Sequence, residues 1–390
     1  MSPLLRFVLA LCLAVAAQTL FPARSAVCIA AETDVAWLAD VQQVPAKPAA
    51  FDVGPMIPLL TDEGNQPIRD KSAWAVRRQK LRAEWLSFLG PMPAAPDNAD
   101  VTVLKDASLP DCSRKLIRYE CEPGLFVEAY LLRPTDPKFG GPRPGLVALH
   151  QTANNTIDET AGLGGPESLQ LGLKLARRGY VVICPRCFLW QDATSLQAAV
   201  KQFQQRHPRT LGMHKMLYDA RRAVDILTAQ PGVDSNRLGA VGHSLGAKEV
   251  LYLAAFDERI RAAVASEGGL ALKSTNWDAA WYLGPSIRDA DFARNHHELL
   301  ALTAPRAMLI LGGESGPGAA DGDRSWPLIE AALPVYRLFG EPPRLGLLNH
   351  HQGHTISPES FERMAQWLDA YTSGPVKPEP SKPAKPASSK

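Results

Sequence analysis

Six short runs of nearly unbroken apolar residues constrain this chain more than any other feature: GLVALH at 145–150, YVVICP at 180–185, LGAVGHS at 238–244, AAVASEG at 262–268, AMLILGG at 307–313 and RLGLLNH at 344–350. Each is too short for a buried helix, and none alternates as a half-exposed strand would. Such runs suit a parallel sheet covered on both faces. The segments between them (167–178, 213–230, 246–256, 328–339 and 358–371) carry helical periodicity. Strand alternating with helix implies right-handed crossovers and a mostly parallel, doubly wound α/β sheet. Ahead of it, VTVL at 101–104, KLIRYECE at 115–122 and LFVEAYLLRP at 125–134 alternate and predict antiparallel strands. Still earlier, Trp74, Val76, Leu81, Trp85 and Leu89 recur at helical spacing over 72–89, before the stop Gly90-Pro91. There is no internal repeat and no second apolar set, so the 390 residues predict one catalytic-sized domain over 99–373.

The ends read differently. Arg6 precedes the apolar run Phe7 to Ala17, and small residues follow, which predicts a secretory signal peptide over about 1–30 and an exported, secreted or periplasmic protein. The run falls short of the roughly 20 apolar residues that span a bilayer, so no stable membrane span is expected in the mature protein. Residues 31–98 predict an extended arm followed by the helix, and the Pro-, Lys- and Ser-rich 374–390 a disordered tail. Export permits disulfides among Cys112, Cys121, Cys184 and Cys187, with Cys112 and Cys121 placed to pair across a hairpin. A net charge of +2, with no basic run in the folded part, argues against a nucleic-acid partner.

Gly242-His243-Ser244-Leu245-Gly246 stands between a strand and a helix, the setting in which G-x-S-x-G presents a nucleophilic serine on a tight turn. Glycines two positions to either side leave room for that turn. It aims the Leu245 N–H and the helix N-terminus at an oxyanion. The second donor is expected after the first central strand, at the Thr152 N–H, with Gln151 the alternative.

A base must reach Ser244 from the loop after the last strand, where His350, His351 and His354 lie; His354, in Gly353-His354-Thr355 before the closing helix, is the expected one. Three carboxylates compete to orient it. Asp323 opens a D-x-x-x-P leading into a helix after AMLILGG and is favoured, with Glu267 in SEGG and Asp321 as alternatives. His150, His296 and His297 read as structural hydrogen-bonding residues.

With these residues in view, the chain from about 144 to 371 resembles the dienelactone hydrolase and acetyl xylan esterase branch of the α/β-hydrolases, through LHQT, VVICPRCFLW, GHSLGAKE, SEGG, LTAPR and GHT. HHELLALTAPR and PVYRLFG are also similar to the carbohydrate esterases that cleave glucuronoyl esters. In those enzymes an acid can follow the sixth strand, as Glu267 does, and a lysine stands four positions after the nucleophile, as Lys248 does; Leu245 replaces their arginine directly after the serine. The resemblance implies the α/β-hydrolase fold and a serine esterase needing neither metal nor organic cofactor. Its partner would be an ester substrate, an acylated oligo- or polysaccharide, stacked on Trp190, Trp277, Trp281 or Trp326. A serine peptidase of the prolyl oligopeptidase type and a non-catalytic exported binding protein are the alternative readings.

Overall fold

The computed structural model describes residues 34–46 and 51–372; the expected signal peptide and the tail at 374–390 lie outside them. A nine-stranded sheet forms the centre of the described residues, in the order β1-β2-β3-β5-β4-β6-β7-β8-β9. Its strands are β1 (Val101–Ser108), β2 (Cys112–Glu122), β3 (Leu125–Pro134), β4 (Arg143–Leu149), β5 (Val181–Pro185), β6 (Val233–His243), β7 (Ile260–Ser266), β8 (Ala307–Gly312) and β9 (Leu345–Asn349). The first three form an antiparallel meander, β3 joins β5 antiparallel, and every later pairing is parallel. The six apolar runs are therefore the six parallel strands, and the alternating segments are the meander.

Nine helices accompany these strands in the described residues: α1 (Lys71–Leu89), α2 (Ile157–Thr160), α3 (Leu171–Arg177), α4 (Leu196–Arg206), α5 (Gly212–Thr228), α6 (Leu245–Phe256), α7 (His297–Thr303), α8 (Trp326–Arg337) and α9 (Pro358–Thr372). They cover both faces of the sheet. One core holds Trp74, Trp85, Met216, Leu251, Leu300 and Val335 from α1, α5, α6, α7 and α8. The other holds Leu175 of α3, Trp367 of α9 and Trp37 of the N-terminal segment. All twelve residues of α6 are buried, so the helix after the elbow is central to the molecule. None of these helices is long and apolar enough to cross a membrane.

Besides the short α2, two helices were absent from the sequence reading. The stretch between Trp190 and Leu211 contains α4, started by Ser195 Oγ accepting the Ala198 N–H at 3.1 Å. HELLALT forms α7, whose seven residues are all buried. The expected hairpin disulfide is also corrected. Cys112 and Cys121 lie near opposite ends of the same strand, β2. At roughly 3.3 Å per residue they are far beyond the reach of a disulfide. Cys184 and Cys187 belong to different cores, and all four thiols are free and buried.

Candidate active site

The turn after β6 places Ser244 at φ 57° and ψ −115°, a conformation costly for a residue with a side chain. Its flanking glycines have no alternative. A Cβ on Gly242 would lie 2.3 Å from the Gly246 carbonyl, and one on Gly246 would lie 2.2 Å from the Leu149 oxygen. The turn is tied down by the Ser244 N–H donating to Ser266 O at 2.8 Å. Leu245 is the first residue of α6, so its N–H has no acceptor within the helix and is free to bind an anion.

Glu267, directly after β7, is under similar strain at φ 59°, with its N–H on Leu311 O at 2.7 Å. Since His243 and Ser266 are paired across β6 and β7, the strained serine and the strained glutamate emerge side by side from neighbouring strands. The Glu267 side chain is fully buried. Its Oε1 accepts the Gly313 N–H at 3.0 Å and lies 2.6 Å from His350 Nε2. Oε2 has no hydrogen-bond partner; it lies 4.0 Å from His354 Nδ1, which is likewise unpartnered. Burial holds the Glu267 carboxyl above its ordinary range, against the pull of His350, and the nearby Asp321 charge adds to the rise.

His354 reaches the cleft from the loop after β9. Burial holds its imidazole below the usual histidine value, with the Gly318 backbone and Asp321 acting the other way. The His243 ring packs 4.6 Å from it, centroid to centroid. Burial, with the charges of His354 and His350, pushes His243 down to about 3, so it packs as a neutral ring.

The two other carboxylates are engaged elsewhere. Asp323, favoured from sequence as the orienting acid, accepts from Asn349 Nδ2 at 2.8 Å, and its N–H donates to Glu314. Asp321 is buried: Oδ1 takes the Leu270 N–H and the Ser325 hydroxyl, and Oδ2 the Gly269 N–H. It braces the segment that follows Glu267. The D-x-x-x-P pattern marks the start of α8, a helical signal that carries no information about which carboxylate faces the imidazole.

Ser244, His354, Glu267 and Thr152 line one cleft of about 410 Å³, together with Lys248, Ser274, Thr275, Asn276, Tyr282 and residues 318–320. Thr152 follows β4 in a turn anchored by His150. Cys187 N–H donates to His150 Nε2 at 3.0 Å, which leaves Nδ1 to donate to Gln151 O at 2.7 Å. The Gln151 side chain turns away to Glu159. Lys248 is buried beneath the cleft, bonded to Thr275 Oγ1, with its ammonium 3.8 Å from the Trp277 ring and 5.2 Å from Tyr282. Burial pushes it down to about 7, against the pull of Asp321. Among the described residues, no group of three or more His, Cys, Asp or Glu is placed to hold a metal ion.

The tryptophans named from sequence do not line this cleft. Trp326 is core, Trp277 is buried with its N–H on Gly269 O, Trp190 packs against His150, and Trp281 is half-buried beside Tyr282. The aromatic residue bordering the cleft, Tyr282, is itself buried. The sequence signal that pointed there was the polar stretch Ser274-Thr275-Asn276 just ahead of Trp277.

Residues 127–283 match the dienelactone hydrolase family. No curated protein matches the chain in sequence. In structure it is similar to a glucuronoyl esterase from Solibacter usitatus, at 18% identity and a TM-score of 0.67 over 84% of this chain and 99% of that one. It is also similar to a CE15 glucuronoyl esterase from Teredinibacter turnerae, at 21% identity and a TM-score of 0.60 over 82% and 90% of the two chains. A glucuronoyl esterase from Sporotrichum thermophile, at 17% identity, superposes with a TM-score of 0.56 over 82% and 90%. In fold the chain is an α/β-hydrolase, and its residues 127–283 match the dienelactone hydrolase family.

Proposed function

We propose that the protein is an exported serine esterase acting on acylated carbohydrate through Ser244, His354 and Glu267. One observation carries the reading: two buried, unpartnered atoms, His354 Nδ1 and Glu267 Oε2, face each other at 4.0 Å in the cleft that holds the strained Ser244. A buried polar atom left without a partner is costly, so the pair completes itself by closing about 1 Å, as catalytic hydrogen bonds often do only once substrate is bound.

Ser244 Oγ attacks the ester carbonyl carbon while His354 Nε2 takes its proton. Glu267 holds the imidazole in the Nδ1–H tautomer and stabilises the imidazolium. The N–H groups of Leu245 and Thr152 receive the oxyanion, a contribution of ~10²–10³ in kcat for one such donor. His354 then gives its proton to the leaving alcohol, and water, with His354 again as base, releases the acid from the acyl-enzyme.

The cleft wall supports a polar substrate. Thr152, Ser274, Thr275 and Asn276 offer hydroxyls and an amide, as a sugar requires. Lys248 adds a buried amine beside that wall. Export follows from the apolar run at 7–17, which lies outside the described residues.

The test is hydrolysis of p-nitrophenyl acetate, an acetylated xylo-oligosaccharide and a glucuronoyl ester by the mature protein beside Ser244→Ala. Wild-type turnover that falls at least ~10⁴-fold in the variant supports the reading. Equal rates in the two proteins on every ester would sink it.

A further inference from the structure

We propose that His350 is a positioning residue for this site: its ring N–H fixes one carboxylate oxygen of Glu267, so that the other faces His354. The inference rests on the Ser244–His354–Glu267 reading above and adds a fourth member to it.

The hydrogen bonds determine the tautomer. The Gln352 N–H donates to His350 Nδ1 at 3.1 Å, so that nitrogen is an acceptor and the proton sits on Nε2. Nε2–H therefore donates to Glu267 Oε1, at 2.6 Å, without the ring needing a charge. The Gly313 N–H donates to the same oxygen at 3.0 Å. With two donors on Oε1 and none on Oε2, the carboxylate is held in one orientation, its open oxygen toward His354 Nδ1. The approach depends on Gly313, where a Cβ would fall 1.8 Å from Gln352 O and 2.7 Å from His350 Cε1. His350 itself does not line the cleft, and its committed Nε2 is not available to Ser244.

The electrostatic surroundings give the second donor a purpose. Glu267 is fully buried; the charged and titratable groups that act on it are Asp321 after β8 and His350 after β9, with His354 4.0 Å from Oε2 and Lys248 lining the same cleft. Burial and Asp321 both favour the protonated carboxyl; the His350 hydrogen bond favours the carboxylate. Without His350, Glu267 stays protonated to higher pH, and a protonated Glu267 cannot stabilise the His354 imidazolium.

The experiment follows the rate of fluorophosphonate labelling of Ser244, and of p-nitrophenyl acetate hydrolysis, against pH in wild type, His350→Leu and His350→Gln, with folding checked by circular dichroism. His350→Leu should lower kcat and labelling about 10- to 100-fold, the worth of one hydrogen bond to a charged group, with KM little changed. The acid limb of the pH profile should move to higher pH. His350→Gln, whose amide N–H can donate to the same oxygen, should recover most of the rate and return the limb. If His350→Leu does not fold, His350→Asn, whose amide falls short of Glu267, takes its place. Wild-type rates in the leucine variant, or equal losses in all variants with an unmoved limb, overturn the proposal. A wild-type protein that takes no label overturns the hydrolase reading itself, and this inference with it.

Discussion

Glu267 and Asp323 are both carboxylates at the carboxyl edge of the sheet, yet their surroundings suit them to different work. Asp323 spends its oxygen on Asn349, in a half-exposed loop, whereas Glu267 is buried and keeps one oxygen open toward His354. Glu267→Gln should therefore lower kcat by ~10³–10⁴, as loss of an orienting acid does elsewhere, while Asp323→Asn stays within a few-fold of wild type. The reverse ranking on p-nitrophenyl acetate would return the role to Asp323. His354 makes a separate prediction. Burial disfavours its imidazolium, so its folded value lies below the ordinary histidine value of about 6.5, and kcat/KM should hold as pH falls through that value before declining. A profile already half lost above pH 7 would contradict it. At this scale the tight turn at Ser244 and the loop carrying His354 were legible, because the elbow and the segment before the last helix are local patterns. Which carboxylate lies beside His354 was not, because two residues in neighbouring βα loops differ only in which hydrogen bonds the folded loops give them.

Elements are joined away from the cleft by a buried ionic cluster that no local pattern announced. Lys215 on α5 bridges Glu122 at the end of β2 and Asp219 one turn along its own helix, both at 2.6 Å. His207, which caps the C-terminus of α4, reaches the other oxygen of Glu122 at 2.7 Å. Burial alone would raise Glu122, but Lys215 and His207 hold it below its ordinary value, while burial keeps Asp219 above its own. Lys215→Met should cost ~3–5 kcal/mol in urea unfolding, since it leaves two carboxylates buried without their cation. The pH dependence of the Glu122 contribution has a definite sign. A depressed folded value contributes stability in full above the unfolded value of about 4.3, and loses it as pH falls through the folded value. A Lys215→Met protein as stable as wild type at neutral pH would mean the cluster is neutralised in solution. The same region holds a signal that the sequence reading passed over: in α4, Leu196, Ala199, Val200 and Phe203 recur at helical spacing, with Gln, Lys and Arg over most of the rest.

On the scale of the whole molecule, what the sequence carried best was the parallel sheet, because burial on both faces forces unbroken apolar runs that nothing else explains. What it carried least was the N-terminal segment, read as an extended arm. Residues 34–42 instead fold against β9, the edge strand whose end bears the His350–His354 loop. Trp37, Leu38 and Val41 are buried there, Trp37 donates to Gln366 at 2.7 Å and packs 5.8 Å from Trp367, and Gln42 donates to the Pro343 and Leu345 carbonyls. The Leu345 carbonyl belongs to a strand edge that would otherwise be open to another chain. Three apolar side chains spaced over five residues were invisible as a motif because they match no period; only the sheet edge makes sense of them. Trp37→Ala should therefore remove about 3 kcal/mol, lowering the urea midpoint at an unchanged m-value. Because the segment touches β9 near its start and the chemistry sits beyond its end, kcat at 25 °C should stay within about two-fold, while thermal inactivation comes several degrees earlier. A variant with the wild-type midpoint would mean that the segment does not dock in solution. One with full stability but impaired turnover would mean that β9 transmits the arm's position to His354.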